Sequence, residues 1–96
     1  MYFVICYDVN TETKEGRRRL RHVAKACEGF GQRAQNSVFE VSLNEVQYHR
    51  LITKLVGIIN EEVDSLRSYR IMEPRKNFIS SWGREMVRDL EGPLIL

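Results

Sequence analysis

The run Tyr2-Phe3-Val4-Ile5-Cys6-Tyr7-Asp8-Val9 (YFVICYDV, residues 2–9) decides how the rest of the chain must fold. It is short, rich in β-branched and aromatic residues, and closed by the turn-prone pair Asn10-Thr11, so it reads as a buried strand. Extended backbone sends alternate side chains to opposite faces, which groups Phe3, Ile5, Tyr7 and Val9 on one side and Val4, Cys6 and Asp8 on the other. Both groups are largely apolar, so both faces need a cover. One of them ends in a carboxylate.

Beyond this strand the spacing of apolar residues becomes helical. Leu20, Val23, Ala24 and Cys27 fall at i, i+3, i+4 and i+7, which predicts an amphipathic helix over residues 14–28, closed by Gly29 and Gly31. Its other faces carry Arg17, Arg18, Arg19, Arg21 and Lys25. Residues 32–43 alternate, with Ser37, Phe39, Val41 and Leu43 set against Val38, Glu40 and Ser42. That predicts a hairpin with strands near 32–35 and 37–43 and a bend at Asn36. Asn44 and Gln47 form the pattern of an N-cap and capping box, and Tyr48, Leu51, Ile52, Leu55, Ile58 and Ile59 stripe the helix that follows. Residues 66–72 give a fourth strand.

The order β-α-β-β-α-β is ferredoxin-like and places the chain in the α+β class. Two helices can cover only one face of a four-stranded antiparallel sheet, so the other is polar or meets a partner. With Val4, Cys6 and Asp8 on it, the sheet of a second copy is the natural cover. The expectation is a homodimer with sheets facing each other. Residues 1–73 then form the domain, and residues 74–96 an extension that docks on it or across the dimer. Within the extension, Pro74-Arg75-Lys76 is a break, residues 77–82 an extra C-terminal strand, residues 84–91 a mixed-charge stretch, and Leu94-Ile95-Leu96 an apolar end.

Ninety-six residues suit one domain, with 43% hydrophobic and 29% charged residues. A chain this short buries only about 60–65% of its unfolded surface, and dimerisation relieves that shortage. Net charge is +2, but eleven of the fifteen basic residues are Arg. Arg offers a planar fork of donors matched to phosphate oxygens. A high-GC genome enriches Arg as well, so position has to decide. Cys6 and Cys27 sit in apolar segments without metal-ligand spacing and read as buried thiols of a reducing cytoplasm. The first residues lack a basic n-region and meet Asp8 early, so a signal peptide is not expected, and no run reaches the ~20 apolar residues of a membrane span. No P-loop, dinucleotide-binding, nucleophile-elbow or zinc pattern occurs, which leaves nucleotide hydrolysis, dinucleotide chemistry and triad hydrolysis without support.

Asp8 has two readings. It can close the strand as an Asx turn through the amides of Asn10 or Thr11, or it can ligate a hard cation, since Mg²⁺ takes one or two protein carboxylates and keeps several waters. Two Asp8 side chains meeting across a dimer suit the second reading better than one alone. The run Arg17-Arg18-Arg19-x-Arg21 is either a solvated helix face or a phosphate contact. Positive charge at a helix N-terminus opposes the macrodipole. His22 and His49 lie on different helices, away from ligand spacing, and read as surface residues.

Tyr7-Asp8-Val9 closing the first strand, the Arg-rich helix running into Val23-Ala24-Lys25, and Arg33-x-Gln35-x-Ser37-Val38-Phe39-Glu40 together resemble the CRISPR-associated protein 2 family over nearly the whole chain. The ending Asp89-Leu90-Glu91-Gly92-Pro93-Leu94-Ile95 resembles its type I-C branch. The resemblance implies a ferredoxin-like dimer in which Asp8 is the catalytic and metal-binding residue, one per subunit. It further implies an endonuclease dependent on Mg²⁺ (or Mn²⁺), acting on double-stranded DNA or RNA. In the cell it implies spacer acquisition, with the dimer bridging dimers of the CRISPR integrase. Arg17, Arg18, Arg19, Arg21 and Arg33 become nucleic-acid-binding candidates, with Tyr7, Ser37 and Phe39 in support. The family often has a basic residue where this chain has His22, and Tyr where it has Asn36.

Two functions follow, one a metal-dependent phosphodiesterase at Asp8 and the other a non-catalytic, DNA-binding scaffold for the integrase. A small-molecule or metal-sensing ferredoxin-like module is a third. It would show a ligand pocket and no salt-dependent DNA binding.

Overall fold

The alternation in the N-terminal run becomes a central strand. The computed structural model describes residues 1–35 and 37–83. In it β1 (Tyr2–Asp8) pairs antiparallel on one side with β3 (Val38–Ser42) and on the other with β4 (Ser65–Ile71). β2 (Gly31–Gln35) pairs with β3 at the edge, giving the order β2-β3-β1-β4. Helices α1 (Lys14–Glu28) and α2 (Glu45–Ile58) follow β1 and β3 and pack against each other. The element order and pairing are those expected of the ferredoxin-like arrangement.

Along β1, Phe3, Ile5 and Tyr7 are buried beneath the helices. They join Phe39, Val41 and Leu43 with Val23, Ala26 and Cys27 of α1 and Leu51 and Leu55 of α2. Phe39, Ile5, Leu51, Leu55, Val23, Val41 and Cys27 are fully buried, so this one-sided layer holds the apolar transfer energy of the fold. Tyr48 ties α2 to the sheet: its ring stacks on Phe3 at 4.0 Å, and its hydroxyl donates to Ser68 Oγ at 3.0 Å.

Both helices start as their sequences dictate. Thr13 caps α1, its Oγ1 accepting from the Gly16 amide at 3.0 Å. Asn44 and Gln47 close the capping box of α2, with amide-to-side-chain distances of 2.8 and 2.9 Å. Gly16 has a tertiary reason to be glycine, because a Cβ there would overlap the Asn10 carbonyl. Gly31 has another: a Cβ would overlap the Val41 side chain and the Glu40 carbonyl at the β2–β3 contact.

The structure departs from the sequence reading in three places. Residues 75–77 form a short 3₁₀ turn and residues 78–83 pair with no strand, so the expected extra strand at 77–82 is not formed within this chain. Pro74 and the turn after it redirect the backbone before a ladder can start. Cys6 is half-buried on the uncovered face, and only Cys27 is a core thiol. The buried side of α1 includes Ala26, while Ala24 sits at its margin. The bend residue Asn36, the mixed-charge stretch 84–91 and the apolar end 94–96 lie outside the described residues.

The start of the extension does meet the domain. Arg75 Nε donates to Glu40 Oε1 at 2.7 Å, and Glu40 stands opposite Val4 on the face of the sheet away from the helices. The Met1 ammonium pairs with Glu73 at 3.1 Å beside it. Among the described residues no helix is long and apolar enough to cross a membrane.

Candidate functional site

Asp8 is the last residue of β1, exposed, and on the face the helices leave open. Its partner in the ladder is Ser65, at the first rung of β4. The Asx turns of this end belong to other residues: Asn10 Oδ1 accepts from the Glu12 amide at 2.9 Å, and Asn60 Oδ1 from the Glu62 amide at 3.0 Å. The Asn10 amide goes to Asp64. Asp8 is therefore not used to close its own turn, and its carboxylate makes no hydrogen bond or ion pair among the described residues. Nor do three His, Cys, Asp or Glu side chains gather at any point among them, so a single chain offers one carboxylate here. The donor set would suit a hard cation that keeps most of its waters if a second copy supplied a second Asp8.

The open face around Asp8 is mixed. Val4, Cys6, Arg67, Tyr69 and Ile71 follow along β1 and β4, and Tyr69 is 46% exposed. Arg67 Nη1 donates to the Tyr69 hydroxyl at 3.0 Å, a contact that raises the guanidinium further above its usual range. A half-apolar face with fixed polar groups is what a second sheet can cover.

The arginine run divides by helical phase. Arg18 and Arg21 are exposed and line a shallow depression with Lys14 and Glu15. Arg17 is exposed, and its Nη1 donates to the Thr11 carbonyl at 3.1 Å. Arg19 turns inward and pairs with Asp64, Nε to Oδ2 at 2.8 Å and Nη2 to Oδ1 at 3.3 Å. Arg33 lies in β2 opposite Phe39. Phe39 itself is fully buried in the core, and Tyr7 is 3% exposed, so neither ring reaches solvent. Ser37 is exposed and its carbonyl accepts from the Tyr7 amide at 3.1 Å, which places it at the Asp8 end of the sheet. His22 and His49 are exposed, as expected. The fold thus brings Asp8, Ser37 and the first turns of α1 to one end, with the Arg19 guanidinium engaged by Asp64 and Phe39 enclosed in the core.

Asp64 escaped the sequence reading. It precedes β4, its side chain has no exposure, and besides Arg19 it accepts the Asn10 amide at 2.9 Å and the Asn60 amide at 2.8 Å. Burial pushes its carboxyl up, but the hydrogen bonds from Arg19, Asn60 and Asn10, with the charge of Arg19, outweigh that and hold it below the usual carboxylate range. One signal was available. Arg19 lies three residues after Gly16 and four before Val23, on the buried side of α1, so it needed an acid from elsewhere in the fold.

Comparison with known proteins matches this arrangement. The family model for CRISPR associated protein Cas2 matches residues 1–77. A relative from Moorella thermoacetica, named "CRISPR-associated endoribonuclease Cas2 1", is 50% identical over 96 residues, covering all of both chains. One from Halalkalibacterium halodurans, named "CRISPR-associated endonuclease Cas2", is 46% identical over 99% of each. The crystal structure of Streptococcus pyogenes Cas2 at pH 6.5 superposes with a TM-score of 0.78 at 44% identity, covering 86% of this chain and all of that one. With the β2-β3-β1-β4 sheet, the arginine-bearing first helix and a carboxylate ending the central strand, the chain belongs to the CRISPR associated protein Cas2 family.

Proposed function

We propose that this chain works as a homodimer that cleaves nucleic-acid phosphodiesters, double-stranded DNA or RNA, with Mg²⁺ or Mn²⁺ held between two Asp8 carboxylates. The observation that carries the reading is the exposed Asp8 carboxylate at the end of a sheet face that no helix covers. Relatives named endoribonuclease and endonuclease support it. The bound cation would neutralise charge on the phosphoryl oxygens and lower the pKa of a bound water. The chain's own part is to place Asp8 rigidly, and to set Arg17, Arg18 and Arg21 along the backbone of the substrate, which positions it without reading sequence. In the cell the dimer serves spacer acquisition, bridging dimers of the CRISPR integrase in the cytoplasm.

The exposed basic residues Lys14, Arg18 and Arg21 also favour a second reading, a DNA-holding scaffold without catalysis. Its affinity would fall steeply with salt. Cleavage of plasmid and of RNA by wild type and Asp8→Asn, with Mg²⁺ titrated from none and the dimer followed by light scattering, separates the two. Metal-dependent cutting that disappears in a still-dimeric variant is expected. Equal cutting by both proteins, or by neither, removes the nuclease reading and leaves the scaffold.

A further inference from the structure

The Asp8 carboxylate has no side-chain partner among the described residues, so its place depends on the backbone that carries it. That backbone ends on the last rung of the β1–β4 ladder, Asp8 opposite Ser65, where a strand end ordinarily frays. Four contacts lie next to the rung. Asp64, immediately before Ser65, accepts the Asn10 amide at 2.9 Å, two residues beyond Asp8. The same carboxylate accepts the Asn60 amide at 2.8 Å and the Arg19 fork from α1. The Asn10 carbonyl presses on Gly16 of α1 too closely for a Cβ. A side chain with no exposed surface therefore joins the β1–α1 loop, the α2–β4 loop and α1 at one point.

We infer that Asp64 and Arg19 are positioning residues for Asp8: their ion pair pins the Asn10 amide and with it the strand end that presents the functional carboxylate. This rests on the reading of Asp8 as that carboxylate. It reassigns Arg19, which the sequence groups with the phosphate-binding arginines, from holding the substrate to holding the site. The two roles leave different kinetic signatures. A phosphate ligand, when removed, raises KM and lowers the dependence of binding on salt. A positioning residue lowers kcat at unchanged salt dependence, because a misplacement of about 1 Å at the reacting group can cost ~100-fold.

The test uses the full-length dimer, with Asp64→Asn, Arg19→Ala and the milder Arg19→Lys, and with Asp8→Asn as control. Cleavage kinetics are measured against Mg²⁺, and amide hydrogen exchange is followed at Ile5, Val9 and Asn10. In Asp64→Asn and Arg19→Ala, kcat should fall by roughly 10- to 100-fold with the salt slope unchanged. Arg19→Lys, which keeps the charge and one hydrogen bond, should recover part of it. Exchange should accelerate at Val9 and Asn10 by about tenfold or more while Ile5 stays protected. Folded variants with kcat within about twofold of wild type would overturn the proposal. So would a raised KM with a flatter salt slope in Arg19→Ala, or exchange that accelerates evenly along β1. If Asp8→Asn cuts as well as wild type, the nuclease reading fails instead, and the exchange pattern alone still decides whether the pair pins the strand end. Should Asp64→Asn not fold, Arg19→Lys carries the same comparison.

Discussion

Asp8 and Asp64 lie at the same end of one sheet, one ending β1 and the other in the loop just before β4, and in opposite surroundings. Asp8 is exposed, on the open face, and without a side-chain partner among the described residues. Asp64 has no exposed side-chain surface and holds four donors from three elements. Burying a carboxylate costs several kcal/mol unless such donors compensate, so Asp64 is bound to a structural task and its carboxyl is held below the usual range. A carboxylate left in water keeps its lone pairs for a ligand. The same division runs through the arginines. Arg19 faces the core side and is occupied, while Arg18 and Arg21 point away from it. Buried groups are occupied by the fold, and exposed ones keep their donors and acceptors free of it.

The largest effect expected of a single change is on the covered side. Phe39→Ala removes a fully buried ring and should cost about 3–5 kcal/mol in denaturant unfolding. A Phe39→Ala protein that is normally stable and loses only nucleic-acid binding would break the division. Asp64→Ala comes next. Removing one partner of a buried pair costs about 3–5 kcal/mol, and because Arg19 keeps 19% of its side chain exposed the loss should be nearer ~2–3. The same contrast sharpens with pH. The folded Asp64 titrates below the ordinary 3.8, so its stabilisation is complete above that value and is lost as the pH falls through the folded-state one. The gap in Tm between wild type and Asp64→Asn should therefore be constant near neutrality and close in acid. A gap that widens in acid contradicts the assignment.

Smaller effects lie outside the core. Glu40→Gln leaves Arg75 with a neutral acceptor and should cost roughly 1 kcal/mol in unfolding, with faster proteolysis in residues 74–83. Least of all, Arg18→Ala and Arg21→Ala should change stability by no more than about 0.5 kcal/mol. Each should lower the salt slope of duplex binding by about one, which a filter-binding series across salt concentrations reads directly.

The fold was largely legible because alternation and helical spacing are local signals tied to burial. Phe3-Ile5-Tyr7 against Val4-Cys6-Asp8 set both faces of β1, and Asn44 with Gln47 marked the start of α2 to the residue. Asp8 was legible for the same reason: a charge ending an apolar alternation stands out. Asp64 was not, because it sits in a loop without periodicity and its importance arises from Asn10 and Arg19, distant in sequence. The strand assigned to 77–82 failed through a related cause. Apolar residues such as Phe78 and Ile79 suggest a strand, but a strand needs a ladder partner, and within this chain the 3₁₀ turn and the Arg75–Glu40 pair set the path.

The most direct test sets Asp8→Asn beside Asp64→Asn, measuring Tm and Mg²⁺-dependent cleavage on the same preparations. Asp8→Asn should abolish cleavage with Tm shifted by no more than about 2–4 °C, since an exposed substitution changes stability by no more than ~0.5 kcal/mol. Asp64→Asn should lower Tm by roughly 8–20 °C. If Asp8→Asn instead lowers Tm as far as Asp64→Asn does, or cuts as wild type does, the two carboxylates do not divide the work as described.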